Sequence, residues 1–222
     1  MVLAAGLGTR LRPLTLLRPK ALCPVDGIPL LDHAIERVAP FTGTGPGHLA
    51  VNAHHLADQV VAHVGGRAHV SPERRAPLGT AGALGAVRDW LDGRDVLLTN
   101  ADAWLHPDLT DFVARWDGEQ CRLLTQRLGR PSDFGDRRYL GVSLLPWHLV
   151  RGLAAEESGL YEVLWRTEWE QGRLDLVDTD VPFRDCGTPA DYLAANLDAS
   201  GGANVVGPGA VVEGSIERSV VW

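Results

Sequence analysis

The sequence predicts an α/β fold: a Rossmann-like, doubly wound, mostly parallel sheet with helices on both faces. Three observations predict it. Short apolar runs alternate with helix-length segments through the first half of the chain. Several of those runs end in glycine or polar residues, as strands do at the ligand-facing edge of such sheets. The chain has 222 residues, 45% of them hydrophobic and 22% charged, which suffices for one full domain with a core and a small appendage.

The elements follow in order. Val2–Ala5 reads as a short apolar strand running into a glycine turn. Residues 30–39 carry apolar residues at helical spacing. "GTGPG" (43–47) is a loop, "HLAVNA" (48–53) a strand, 55–64 a helix and "RAHVS" (67–71) a strand. "ERRAPLGTAG" (73–82) begins as a loop and feeds a helix that runs to about Leu91. "DVLLTNAD" (95–102) is a buried strand ending in polar residues. Residues 107–116 form a helix with Pro107 in its first turn. "CRLLTQ" (121–126) and "YLGVSLLP" (139–146) are strands. Two helices, about 147–155 and 159–171, precede the strand "LDLVDTDV" (174–181). "TPADYLAANL" (188–197) opens with a threonine cap and a first-turn proline.

The tail, "NVVGPGAVVEGSIERSVVW" (204–222), has a six-residue beat that resembles the hexapeptide repeat of a left-handed parallel β-helix. It spans about one coil, and stacked repeats need roughly three units. The expected organisation is therefore a main domain over 1–200 and the start of a β-helix over 201–222, continued beyond Trp222 or resting on another surface.

Composition narrows the function. A net charge of −7 argues against bulk nucleic-acid binding but leaves room for a local cationic pocket. No run approaches the ~18–20 apolar residues of a membrane span, and no signal peptide is visible. Cys23, Cys121 and Cys186 are odd in number and far apart, so neither a disulfide framework nor a zinc site is expected, and a cytoplasmic location fits.

The chemistry concentrates at strand ends. "AAGLGTRLRP" (4–13) places backbone N–H groups where a strand gives way to a loop, with Arg10 beside them, a cradle suited to phosphate. It is neither a dinucleotide fingerprint nor a Walker loop. Read alone it is a phosphate loop or a plain tight turn. The chain holds twenty arginines and a single lysine, Lys20. An ammonium is a compact point charge, not a planar fork, so one retained lysine is either chance or a place where a guanidinium does not fit. Asp102 and Asp185 end strands and read as loop carboxylates, a helix-capping group or metal ligands. His54 and His55 read as structural or solvent-facing, and Trp165 and Trp169, four apart, as one packed helix face.

Residues 3–38, "LAAGLGTRLRPLTLLRPKALCPVDGIPLLDHAIERV", resemble the opening signature of the sugar-1-phosphate nucleotidyltransferases. The pattern is Gly6-Leu7-Gly8-Thr9-Arg10, then Pro13-Leu14-Thr15, then Pro19-Lys20 with Pro24. "PLGTAGAL" (77–84) resembles the family's nucleobase loop, especially that of mannose-1-phosphate guanylyltransferases. "TNAD" (99–102) and "RDCGTPADY" (184–192) resemble its two metal-binding segments.

The resemblance implies transfer of a nucleotidyl group from a nucleoside triphosphate to a sugar 1-phosphate, with release of pyrophosphate. It implies nucleotide contacts by Leu3, Ala4, Ala5, Gly6, Gly8, Thr9, Arg10, Lys20, Gly79 and Thr80. It implies Mg²⁺ on Asp102 and Asp185, sugar-phosphate contacts at Arg138 and Gly141, and catalytic roles for Arg10, Lys20 and Asp102. The base loop leans toward GTP and mannose 1-phosphate, with glucose 1-phosphate and UTP or dTTP as the other pairing. The hexapeptide tail, which in such proteins often mediates assembly, allows for a homo-oligomer.

The sequence departs from the family pattern at three places. Ala101 replaces the usual glycine, and Phe183 the usual tryptophan. "PSDFG" (131–135) passes directly into "DRRYLGVSLL", without the usual hairpin and its Glu-Lys pair, so Arg137 or Arg138 is expected to take over the missing lysine's phosphate contact. That loss is also what a non-catalytic, nucleotide-sugar-sensing subunit on the same fold would show. A cytidylyltransferase acting on choline phosphate shares the opening loop.

Overall fold

The computed structural model describes residues 1–222. In chain order its strands are β1 (Val2–Leu3), β2 (Pro24–Val25), β3 (Ile28–Pro29), β4 (Ala50–Ala53), β5 (His69–Pro72), β6 (Val96–Asn100), β7 (Ala103–Trp104), β8 (Arg122–Arg127), β9 (Arg137–Leu145), β10 (Asp175–Asp178), β11 (Arg184–Asp185), β12 (Val205–Val206) and β13 (Val220–Val221). Its helices are α1 (Leu30–Val38), α2 (Ala57–Val64), α3 (Gly79–Ala86), α4 (Arg88–Leu91), α5 (Thr110–Ala114), α6 (Trp147–Val150), α7 (Arg166–Glu170) and α8 (Pro189–Ala199).

Seven strands form one sheet in the order β10-β8-β9-β6-β1-β4-β5. β1 lies inside it, parallel to β4 on one side and β6 on the other. β4–β5 and β8–β10 are also parallel, while β9 runs antiparallel to both β6 and β8. The alternation in the first half thus gives the expected parallel part, and β9 interrupts it. The hairpin linking β8 to β9 closes on an isolated bridge between Phe134 and Arg137.

Helices cover both faces. On one, α1 and α2 bury Leu31, Ala34, Val38, Val60 and Val64 against Val2, Val51 and Ala53, and Phe112 of α5 extends this layer over β9. On the other, Ala81, Leu84, Leu91, Leu160 and Trp165 pack on Leu98, Leu123 and Leu145. α1 carries Asp32 in its first turn and Arg37 in its last, each matched to the helix dipole. At α8 the Thr188 side chain accepts the Asp191 N–H at 3.2 Å and Pro189 occupies the first turn, as the sequence indicates.

Three expectations need correction. α5 starts at Thr110, not Pro107, because the Asp108 carboxylate accepts the Thr110 N–H at 2.9 Å and sets the start there. The helix expected over 147–155 is only Trp147–Val150. The one expected over 159–171 is a π-helical turn, Tyr161–Trp165, followed by α7. The tail, where the start of a β-helix is expected, forms one parallel pair, β12–β13. That pair rests on the main body: the Trp222 indole donates to the Tyr192 hydroxyl at 3.2 Å, and the Arg18 guanidinium lies 4.1 Å over the Trp222 ring.

Two short pairings were not anticipated. β2–β3 is a hairpin whose two loop residues, Asp26 and Gly27, both have positive φ, the conformation an Asp-Gly pair favours. β7–β11 is the other, and it positions the site. No helix is long and apolar enough to cross a membrane.

Candidate active site

The carboxyl ends of the central strands face a common hollow, and Lys20 stands at its floor. It opens a short 3₁₀ turn, Lys20–Leu22, behind Pro19. Its side chain is only 8% exposed, yet its ammonium donates to Asp102 Oδ2 at 3.2 Å and to Asp185 Oδ1 at 3.4 Å. The two carboxylates are about half exposed, so the cluster is open on one side.

Asp102 and Asp185 are 83 residues apart, and β7–β11 brings them together. Asp185 sits opposite Ala103, Arg184 opposite Trp104, and the Cys186 N–H reaches the Asp102 carbonyl at 3.2 Å. Arg10, on the 3₁₀ turn Thr9–Leu11, places Nη2 4.0 Å from Asp185 Oδ2 and is otherwise exposed. Gly187 lies beneath this contact: a Cβ there would meet the Asp185 carboxylate at 3.0 Å and Arg10 Nη2 at 3.1 Å.

The glycine loop is held from behind. Gly8 has φ +61°, and a Cβ there would lie 2.7 Å from Thr15 Cγ2. The Thr15 hydroxyl donates to the Gly8 carbonyl at 2.7 Å, so the Pro-Leu-Thr segment buttresses the loop. The Ala4 N–H donates to Asn52 Oδ1 at 2.8 Å, and Asn52 Nδ2 donates to Glu73 Oε1 at 2.7 Å. Glu73 Oε2 then accepts the Leu78 N–H at 2.7 Å. Buried Asn52 and Glu73 therefore connect the first loop to the second, 77–80. Sequence reading missed both. The available signal was a charged residue directly after a strand, on the same sheet edge as the glycine loop.

Beside Lys20 and Asp102 lies a cleft of about 210 Å³, lined also by Leu3, Ala4, Ala5, Gly6, Gly79 and Thr80. Gly8, Thr9 and Arg10 lie outside that lining. The Thr80 hydroxyl accepts the Leu160 N–H at 2.7 Å, so it also pins the segment behind α3. A second hollow of about 280 Å³ contains Arg138, Gly141 and Asp185, and it shares Asn100 and Asp102 with the first. Gly141, at φ +79°, lies in the stretch of β9 where the β8–β9 register shifts. A Cβ on it would stand 3.1 Å from that of Asn100.

The two arginines proposed for the missing lysine have different fates. Arg137 is engaged with Asp178, its Nε at 2.8 Å from Oδ1. Arg138 lines the second hollow, with its guanidinium 4.4 Å over the Phe183 ring and Nη2 donating to Gln126 Oε1 at 2.8 Å. Its Nε is buried without a partner.

Beneath the site Arg37 is buried, its guanidinium donating to Thr99 Oγ1 at 2.6 Å and to the carbonyls of Asn100, Ala103 and Leu105 at 3.3–3.4 Å. Burial pulls it down to about 10, against the opposing pull of the Asp102 carboxylate. His54 and His55 bond the Glu73 and Thr15 carbonyls, each at 2.6 Å, which is a structural use. Burial pushes the Cys186 thiol up to about 12, so it is no nucleophile at neutral pH. Trp165 and Trp169 both pack on Phe134, as one helix face.

No group of three or more His, Cys, Asp or Glu side chains gathers anywhere in the chain in a metal-binding arrangement. Two carboxylates alone suit Mg²⁺, which keeps waters and takes its remaining ligands from substrate phosphates.

Comparison with known proteins identifies the family and the fold. The family model described as Nucleotidyl transferase matches residues 1–135. An N-acetylmuramate alpha-1-phosphate uridylyltransferase of Caulobacter vibrioides is 38% identical over 148 residues, 58% of this chain and 60% of that protein. A mannose-1-phosphate guanylyltransferase of Mycobacterium tuberculosis is 33% identical over 144 residues, 61% of this chain and 39% of that protein. The matches thus span about 40 to 60% of these relatives' length. A crystal structure from Bacillus anthracis, described as a glucose-1-phosphate thymidylyltransferase, superposes with a TM-score of 0.74 at 18% identity. It covers 89% of this chain and 93% of that one, a likeness of fold.

Proposed function

The chain belongs to the nucleotidyl transferase family, and we propose that it transfers a nucleotidyl group from a nucleoside triphosphate to a sugar 1-phosphate, releasing pyrophosphate. The observation that carries this reading is the placement of Lys20 against Asp102 and Asp185, where two adjoining hollows meet. One hollow takes the nucleotide and the other the sugar phosphate.

The acceptor is a phosphate monoester with second pKa ≈ 6, already largely ionised at neutral pH, so no general base is needed. The obstacle is the approach of one anion to the α-phosphorus of another. The chain's work is therefore positioning and charge neutralisation. Backbone N–H groups of the glycine loop cradle the triphosphate. Arg10 grips the leaving pyrophosphate, and Lys20 meets charge as it develops on the α-phosphate. Arg138 and the backbone at Gly141 seat the acceptor. Asp102 and Asp185 would hold Mg²⁺, which supplies charge neutralisation and orientation of the phosphates.

The relatives named above carry guanylyl and uridylyl transfer in their names, which supports GTP and UTP as first donors and mannose 1-phosphate and N-acetylmuramate 1-phosphate as first acceptors. The β12–β13 pair is read as the first turn of a β-helical appendage. The shortened β8–β9 connection favours a second reading, a nucleotide-sugar sensor without turnover.

The deciding experiment is pyrophosphate release with Mg²⁺ across a grid of five triphosphates and several sugar 1-phosphates, with Asp102→Asn as control. One strong pair, lost in the control, is the expected result. Silence across the grid, with the protein folded and binding a finished nucleotide sugar without turnover, overturns the enzyme in favour of the sensor.

A further inference from the structure

The Lys20 ammonium sits between the carboxylates of Asp102 and Asp185, the two groups that would hold a divalent cation. Its hydrogen bonds are to Asp102 Oδ2 and Asp185 Oδ1, and no other acceptor reaches it. The side chain is 8% exposed while the carboxylates are about half exposed, so the ammonium lies on the protein side of the pair and water on the other. The base of the side chain is fixed in place: the Cys23 N–H donates to the Lys20 carbonyl at 3.0 Å, and Gly8 packs so near that a Cβ on it would stand 3.2 Å from Lys20 Cβ. An ammonium this enclosed is costly unless it is paired. It leaves the carboxylates only when other anionic oxygens replace them.

The geometry points to Lys20 as a resident counter-cation: it holds the place between Asp102 and Asp185, weakens capture of free divalent ions, and yields the carboxylates when a metal arrives together with a triphosphate. This rests on the nucleotidyl-transfer reading and adds an order to it. The phosphate oxygens take over the ammonium at the moment that their metal takes over the carboxylates. A guanidinium would serve poorly, because its planar fork would keep a bidentate hold on one carboxylate.

Two measurements test it without turnover. The first is Mn²⁺ binding, followed by electron paramagnetic resonance, in the absence of nucleotide. Lys20→Gln should bind Mn²⁺ about tenfold more tightly than wild type, because a positive charge a few ångströms from the ligands is gone. Lys20→Arg, which keeps the charge, should not gain. Equal or weaker Mn²⁺ binding by folded Lys20→Gln overturns the counter-cation role.

The second uses wild-type protein, so it does not depend on a variant folding. With one lysine in the chain, ¹⁵N-lysine labelling gives a single side-chain ammonium signal. Mg²⁺ alone should leave that signal in place, and Mg²⁺ with a non-hydrolysable triphosphate should shift it. An equal shift with Mg²⁺ alone overturns the inference. Adding Asp102→Asn to Lys20→Gln separates the two levels. If Mn²⁺ affinity then falls, the metal uses these carboxylates and only the order was at stake. If it does not fall, the metal part of the nucleotidyl-transfer reading fails as well.

Discussion

Arg37 donates to the Thr99 hydroxyl at 2.6 Å from below the sheet edge, and with the same guanidinium it reaches the carbonyls of Asn100, Ala103 and Leu105. One buried side chain therefore ties the end of β6 to β7 and spans the two residues between them, Ala101 and Asp102. Arg37→Met keeps volume but leaves these acceptors unpaired in the interior. It should cost about 3 kcal/mol in urea unfolding. If the tie also orients Asp102, Mn²⁺ affinity should fall with it. Unchanged stability would show that the carbonyls find other donors.

Lys20→Arg conserves charge and should still lose turnover by roughly 100-fold or more on the proposed mechanism, in which the ammonium enters between crowded phosphates where a planar group collides. Single-turnover pyrophosphate release is the measurement. Near wild-type turnover would mean that charge alone suffices there.

Arg138 and Arg137 are neighbours in sequence with separate predictions. Arg138→Gln should raise KM for the sugar phosphate about tenfold or more and leave KM for the triphosphate nearly unchanged. Arg137→Gln removes the pairing with Asp178 and should leave both constants close to wild type. A reversed pattern would move the acceptor site off the hollow that Arg138 lines.

Two glycines separate packing from binding. A Cβ on Gly82 would lie 2.1 Å from the Glu156 carbonyl oxygen, a backbone atom. Gly82→Ala should therefore destabilise the protein by roughly 2 kcal/mol. A Cβ on Gly6 would meet nothing within 4 Å, and Gly6 lines the cleft beside Lys20 that is proposed for the nucleotide. Gly6→Ala should leave the melting temperature alone and weaken triphosphate binding, as read by calorimetry.

Burial raises the Cys23 thiol to about 11 and the Cys121 and Cys186 thiols to about 12. The unfolded chain releases these protons near pH 9, and the folded chain holds them longer. Their contribution to stability is complete below about pH 9 and is lost as pH rises toward 11–12. Each thiol costs up to about 1.4 kcal/mol per pH unit in that window. Urea midpoints at pH 8 and pH 10 check the sign. At pH 8 the folded protein should also leave a thiol reagent unconsumed, and three equivalents should react once it unfolds.

Much of the fold was legible because it depends on local periodicity. The apolar runs at 50–53 and 96–100 and the helical spacing at 30–38 are strong local signals, and they set the parallel half of the sheet. The glycine loop and both aspartates were legible as candidates because strand ends in such a sheet face one edge, and Lys20 because it is the single lysine of the chain. The proline at 107 misled, since the Asp108 carboxylate, two residues before Thr110, accepts the Thr110 N–H and sets the helix start there. A tail beat of six residues matched a repeat, but a single turn cannot display stacking.

By itself the sequence determined the alternation of strand and helix, the glycine loop and the identity of the charges at the sheet edge. Those properties reside in residues close together along the chain. Tertiary structure alone decided which charges meet. β7 and β11 have two residues each, too few for any period, yet their pairing places Asp185 beside Asp102 and both on Lys20. Glu73 and Asn52 join two loops through buried hydrogen bonds, and Arg37 works across a helix–sheet interface. It also decided that Arg137 is held by Asp178 while Arg138 faces the hollow, a choice made by neighbours more than 40 residues away in the chain. Coulomb interactions and hydrogen bonds act through space over a few ångströms, so the partners of a charge are set by the packed fold and not by its place in the sequence.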